Sequence, residues 1–164
     1  MIREIPFWDK NTETMSRSDL DKIQLEGLKR QVEHALQTPY YKNRFMEAGI
    51  SGSSCIKQLS DIQNLPFTTK NDLRDAYPFG MLAVPKEDIV RIHASSGTTG
   101  TPTIIYHNKQ DLHMASDTMA RSLVAAGCTR GDIVQNMMTY GLFTGGLGFH
   151  YGAELIGMTV IPTS

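Results

Sequence analysis

The chain has 164 residues, 40% of them apolar and 20% charged, and its 16 basic and 17 acidic side chains leave a net charge of −1. This composition suits a folded soluble chain and argues against disorder, and the balanced charge gives no electrostatic footprint for nucleic acid or an anionic membrane. Two cysteines, Cys55 and Cys128, stand far apart with no CxxC or Cys/His cluster. That argues against a disulfide framework or a structural zinc site and points to the reducing cytoplasm.

The amino terminus mixes charges of both signs and lacks the apolar segment of a secretory signal. A helix is expected over residues 18–37. There Ser18 and Asp21 have capping-box spacing, Leu20, Ile23, Leu28, Val32 and Leu36 share a face, and Pro39 stops the run. A shorter helix follows over 41–48, with Gly49 as its left-handed cap. Residues 52–60 read as a loop. Thr69 and Asp72 again have capping-box spacing, so a short helix starts there and ends before Pro78.

After a turn at 85–88, residues 89–94 are β-rich and 103–107 form a second β-branched run. The stretch between them therefore reads as a loop joining two neighbouring strands. Asn108, with Asp111 in the first turn, caps a helix whose apolar stripe is Leu112, Ala115, Met119, Leu123 and Ala126, ended by Gly127. A turn at 130–132 leads into a strand over 133–137. Next come a glycine-rich segment, a helix over 146–155 and a strand over 158–162. Strand, helix and strand at this spacing form a βαβ unit and place the chain in the α/β class. The uncharged run from 141 to 153, resumed after Glu154, contains His150 and, to Pro162, six glycines. It reads as soluble structure, since a membrane span tolerates such residues poorly. The chain then stops directly after a strand, and the sequence looks cut short.

The residues with the clearest chemistry are His93-Ala94-Ser95-Ser96-Gly97-Thr98-Thr99-Gly100-Thr101-Pro102-Thr103. Gly97 and Gly100 allow close backbone approach, so successive N–H groups can point inward. Ser95, Ser96, Thr98 and Thr99 add hydroxyl donors for the many acceptor oxygens of a polyphosphate. The loop is not a Walker A motif, because it has no internal lysine and a strand follows it. A GxSxG nucleophile elbow is also absent. By composition alone, such a loop is as readily a mobile surface connection.

The order Ser-Ser-Gly-Thr-Thr-Gly-x-Pro-Thr resembles the nucleotide-binding signature of the adenylate-forming superfamily of acyl-CoA synthetases. Further segments are similar to the phenylacetate–CoA ligase family: Arg91-Ile92-His93-Ala94, the run from Pro66 to Arg74, the run from Tyr140 to Gly148, His150-Tyr151-Gly152-Ala153-Glu154, and Ile161-Pro162. The resemblance covers essentially all of 7–164. One departure is Thr101, where family members commonly carry lysine; threonine offers a hydroxyl in place of a mobile cation near the phosphates.

The resemblance implies a fold: the amino-terminal part of the large domain of an adenylate-forming enzyme, with helices on an incomplete mixed or parallel sheet. Residues 1–84 would be a helical amino-terminal segment, and 85–164 the first, truncated part of the α/β nucleotide- and acyl-binding subdomain. It also implies an activity, in which ATP converts an aryl carboxylic acid to an acyl-adenylate and the thiol of coenzyme A displaces AMP. Ser95, Ser96, Gly97, Thr98, Thr99, Gly100, Thr101 and Thr103 would bind the nucleotide. Tyr140, Phe143, Gly145 and Gly146 would line the acyl pocket, and Lys70 would be a candidate substrate contact.

Each of these assignments has a plainer alternative. Tyr140 and Phe143 fit equally well as core residues beside a tight strand-to-helix turn, and a lysine in a first helical turn is often merely solvated. His93 suits a structural role next to the loop. His150 and Glu154, four apart on one helix face, suit an internal hydrogen bond better than a metal site. Mg2+ and coenzyme A are implied as cofactors, with their sites largely outside this chain, and no metal ligands or catalytic residues are assigned within it. The expected partner is the small aryl acid, with neither nucleic acid nor membrane, and an open sheet edge could drive homodimer formation. Two alternatives stay open: an adenylate-former for another acid, and a degenerate nucleotide-binding or assembly module without catalysis.

Overall fold

The computed structural model describes residues 6–95 and 102–163. The chain divides into two compact units, Met15–Lys86 and a second one taking Met1–Thr14 together with Glu87–Ser164.

The unit Met15–Lys86 is helical. Its main helix follows the short α1 (Lys10–Glu13) and is α2 (Arg17–Ala35), whose amino-terminal cap is Ser16, accepting from the Asp19 N–H. The expected cap was Ser18. Both serines have an aspartate three residues on, and the chain uses the earlier pair. The buried face also differs from the expected stripe, for Ile23 is 53% exposed. Val32 joins Phe45, Ile50 and Ile56 in the core, with Leu25, Leu28, Leu36, Tyr41 and Leu65 packed around them. Burying each of the large side chains contributes about 1.5–3 kcal/mol.

Helix α3 (Pro39–Glu47) starts two residues earlier than expected, because Pro39 occupies its first turn and Thr38 caps it. A proline there has no N–H to leave unpaired. The Thr38 hydroxyl donates to Ala35 O at 2.9 Å and accepts from the Tyr41 N–H at 3.2 Å. Within the expected loop 52–60, residues 53–55 form a short 3-10 turn, and a second over 59–64 begins at its end. Helix α4 (Lys70–Asp75) carries the expected capping box between Thr69 and Asp72. Arg44 on α3 reaches Phe67 O at 3.2 Å and the Asp72 carboxylate at 3.5 Å, which ties the approach to α4 onto α3.

In the second unit, strands β1 (Arg91–Ala94) and β2 (Ile104–His107) pair antiparallel, Arg91 opposite His107 and Ala94 opposite Ile104. Helix α5 (Lys109–Ala125) begins at the expected Asn108–Asp111 capping box. Strand β3 (Ile133–Asn136), helix α6 (Thr144–Ile156) and strand β4 (Thr159–Pro162) form the expected parallel βαβ unit, with Ile133 opposite Thr159. The two ladders are separate two-stranded sheets, so the unit is mixed α/β. From the amino-terminal segment, Trp8 Nε1–H donates to Asp117 on α5 at 2.7 Å.

Helices α5 and α6 meet through small residues. A Cβ on Gly152 would lie 2.5 Å from Met119 Cγ and 3.2 Å from Ala120 N, so only glycine permits this approach. Consequently the buried positions of α5 are Ala120 and Val124, while Ala115 and Ala126 of the expected stripe are exposed. Gly49, Gly127 and Gly157 follow their helices with positive φ of 74°, 93° and 92°, the left-handed ending that only glycine adopts freely. Among the described residues, no helix is long and apolar enough to cross a membrane.

Candidate functional site

Strand β1 delivers the Ser/Thr/Gly loop and β2 receives it. Ser96, Gly97, Thr98, Thr99, Gly100 and Thr101 lie outside the described residues, while Ser95 and Thr103 frame them. The Ser95 N–H donates to Thr103 O at 2.9 Å, and the Thr103 N–H donates back to Ser95 Oγ at 3.0 Å. This pair closes the root of the loop. Thr103 is 5% exposed, and its Oγ1 makes no hydrogen bond among the described residues. A buried hydroxyl without a partner is costly, by about 1–3 kcal/mol, so it is a natural place for a ligand oxygen to be received.

Two groups at the end of β1 converge on one acceptor in the segment before α6. The Ala94 N–H donates to Leu142 O at 2.9 Å, and His93 Nδ1 lies 3.0 Å from the same oxygen. A carbonyl can only accept, so His93 Nδ1 carries the hydrogen. His93 therefore has a structural role, holding the 140–143 segment. Its ring meets that of His107 edge to face, with centroids 5.3 Å apart. Burial, and next the neighbouring His93, pushes the His107 imidazole below its ordinary value. The His107 Nε2 makes no hydrogen bond among the described residues.

Tyr140 is half-buried and hydrogen-bonded at its hydroxyl on both sides. Asn136 Nδ2 donates to Tyr140 Oη at 2.7 Å and to Gly146 O at 2.8 Å, and the Met138 N–H donates to Asn136 Oδ1 at 3.2 Å. His150 Nδ1 lies 3.0 Å from Tyr140 Oη, and His150 Nε2 lies 3.0 Å from Glu154 Oε1. The expected internal bond between His150 and Glu154 is thus present, as part of a longer chain of groups. Phe143, 44% exposed, precedes the first turn of α6. Gly146 is required by close packing, since a Cβ there would sit 2.6 Å from Thr139 O. At Gly145 the obstacle is the flexible end of Met138, 2.5 Å away.

The structure thus joins the root of the loop to the segment carrying Tyr140 and Phe143. Lys70 is the first residue of α4 in the other unit, with an exposed side chain. The sequence reading missed Asn136 and the Leu142 carbonyl. A buried amide at the end of a strand leaves a signal, since Asn136 follows the β-rich Ile133-Val134-Gln135. A backbone acceptor leaves none. A shallow cavity of about 370 Å³ between α5 and α6 is lined by His113, Ser116, Tyr151, Glu154 and Leu155. Among the described residues, no group of three His, Cys, Asp or Glu side chains could hold a metal ion.

The fold is that of the amino-terminal part of adenylate-forming CoA ligases. An open-conformation structure of 2-hydroxyisobutyryl-CoA ligase with 2-HIB-AMP and CoA superposes with a TM-score of 0.87 at 29% identity, over 95% of this chain and 37% of that one. The same ligase in its thioesterification state gives 0.87 at 31%, over 95% and 34%.

In sequence, the chain's homologues are phenylacetate–coenzyme A ligases. It is 49% identical to the Thermus thermophilus enzyme over 159 residues, which is 96% of this chain and 36% of the relative. It is 50% identical to the Pseudomonas putida enzyme over 153 residues, 93% of this chain and 35% of the relative. The chain therefore spans about a third of the length of these relatives. No family model matches it.

Proposed function

We propose that this chain supplies the phosphate-gripping loop and one wall of the acyl pocket of an ATP-dependent aryl acid–CoA ligase, with phenylacetate as the acid. The carboxylate attacks the α-phosphorus of ATP, giving phenylacetyl-AMP and pyrophosphate. The thiol of coenzyme A then attacks the acyl carbon and AMP leaves. The observation that carries this reading is the shared Leu142 carbonyl, which couples the end of β1 to the 140–143 segment. A nucleotide held at the loop and a ring held beside Tyr140 would then be placed by one rigid joint, and positioning of that kind supplies much of the catalysis in such a displacement.

In this reading Ser95, Ser96, Gly97, Thr98, Thr99, Gly100, Thr101 and Thr103 bind the β- and γ-phosphates, the buried Thr103 hydroxyl, without a partner among the described residues, acting as a donor. Tyr140, Phe143, Gly145 and Gly146 receive the aromatic ring, for which flat walls and side-chain-free floors are suited. Lys70 is a further substrate contact. Mg2+, whose ligands and those of coenzyme A lie largely outside these residues, would neutralise phosphate charge. The enzyme works in the cytoplasm, as a homodimer, and the 164 residues alone are inactive.

The test is phenylacetate-dependent ATP–pyrophosphate exchange, measured for this chain and for the product of the source DNA read past the Ser164 codon. Exchange is expected from a longer product and not from the 164-residue chain. Exchange by the short chain would overturn its assigned inactivity. A stop codon after Ser164, or a longer product without exchange, would replace the ligase reading by a nucleotide-binding module.

A further inference from the structure

The hydrogen-bond chain through Tyr140 can be solved from both ends. At one end the Met138 N–H can only donate, so the Asn136 atom facing it is Oδ1. Gly146 O can only accept, so the atom facing it is Nδ2. The amide orientation is therefore fixed, and its second Nδ2 hydrogen falls on Tyr140 Oη at 2.7 Å. At the other end, the Glu154 carboxylate accepts, so His150 Nε2 carries the hydrogen across 3.0 Å. In a neutral imidazole the other nitrogen is then a bare lone pair. The 3.0 Å contact between His150 Nδ1 and Tyr140 Oη is consequently a bond that the tyrosine donates. With the imidazole neutral, every hydrogen in the series has one place to go.

We propose that His150 is a positioning residue for the acyl wall. With its tautomer set by Glu154, it takes the hydroxyl hydrogen of Tyr140 and so fixes the direction of that ring. The two rings stand edge to face, 5.6 Å apart at 87°. Asn136, anchored to Gly146 O at the first turn of α6, holds the hydroxyl from the other side. A phenol bonded on both sides has its hydrogen committed and presents a ring face to its surroundings. Glu154 lies on the half-exposed side of α6, so the position of Tyr140 is set by a residue remote from the ring itself. This inference rests on the reading of Tyr140 as part of the acyl pocket.

Two substitutions separate the roles of the imidazole nitrogens. His150→Asn places a carbonyl oxygen near the position of Nδ1 and keeps the acceptor for Tyr140. His150→Gln places an amide near Nε2, keeping the link to Glu154 and losing that acceptor. The experiment is NMR on the 164-residue chain with 15N-labelled imidazole rings, with phenylacetate titrated into the longer product of the source DNA and its matching variants. The wild type is expected to show the Nε2–H tautomer at His150, which Tyr140→Phe should keep and Glu154→Ala should turn into a mixture. Tyr140 ring resonances should stay in place in His150→Asn and move in His150→Gln. Phenylacetate affinity should fall about three- to tenfold in His150→Gln and stay within about twofold in His150→Asn, the size expected for one hydrogen bond.

An Nδ1–H tautomer in the wild type, or equal displacement of Tyr140 by both variants, would overturn the positioning role while leaving the pocket reading untouched. If the tautomer is as expected but phenylacetate shifts no resonance, the acyl-wall reading itself fails, and the positioning role with it.

Discussion

The two units are held together by different chemistry. In Met15–Lys86 the buried centre is Val32, Phe45, Ile50 and Ile56, bulky apolar groups brought together by helices and tight turns. In the second unit the buried apolar residues are Ala94, Ala120, Val124, Ala153 and Met158, and beside them lie buried His93, Thr103 and Asn136. The first arrangement draws its stability from area removed from water. The second uses close backbone approach and buried hydrogen bonds, which give less per residue but fix atoms in place. The residues of the candidate nucleotide and acyl site fall, apart from Lys70, in the second. The candidate site sits where geometry is specified by polar groups and glycines, and the bulkier apolar core lies in the other unit.

This contrast can be broken from either side. The largest effect is expected from Phe45→Ala, which should cost about 3–5 kcal/mol through lost burial and a cavity. Amide exchange should then show α2 and α3 losing protection while α5 and α6 keep theirs. If all the helices lose protection equally, the two units do not differ in the way described. Gly152→Ala is next, at about 1–3 kcal/mol of overpacking against Met119 and Ala120. Because Met119 Cβ itself lies 2.6 Å from the added methyl, adding Met119→Ala should not recover the loss in a urea titration. Asn108→Ala removes the cap of α5 and should cost about 1 kcal/mol, read as increased exchange in the first turn of that helix.

The smallest effect is in the response to pH. His107 is held below its ordinary value in the folded chain, first by burial and then by His93. The fold thus prefers the neutral ring, and the unfolded chain binds the proton first as the pH drops. Its stabilising contribution is complete above the ordinary imidazole range and is lost as pH falls through that range towards the lowered folded value. Asp61 and Asp72 in Met15–Lys86 are also held low. For Asp61 the cause is foremost the Lys57 backbone N–H, and for Asp72 the Thr69 hydroxyl. Their contributions are lost only below the ordinary carboxylate range. Melting temperatures measured across both ranges should show a weak-acid step that His107→Gln removes and a strong-acid step that it leaves.

Much of this fold was legible because its helix starts are written in side chains. Asn108–Asp111 and Thr69–Asp72 gave both position and mechanism, and the alternation of strand and helix after 127 gave the parallel pair. Ser16 and Ser18 were ambiguous, since each offers the same spacing to an aspartate and only packing of the α2 face chooses between them. The stripe of α5 was misread for a related reason. Its buried positions follow Gly152, a residue about thirty positions away, and an apolar pattern within one helix carries no record of that. In the candidate site, residue types pointed to the loop, and the resemblance to the ligase family pointed to Tyr140 and Phe143. The joint between them uses a main-chain oxygen, and no sequence pattern marks one carbonyl among many.

That joint has a consequence for how the site can vary. The acceptor shared by Ala94 and His93 belongs to the backbone of Leu142, whose own side chain is 52% exposed. Side chains along 140–143 can therefore be exchanged over generations, and the lining of the candidate acyl wall changed, without unhooking the strand that carries the loop. The anchorage is inherited separately from the lining.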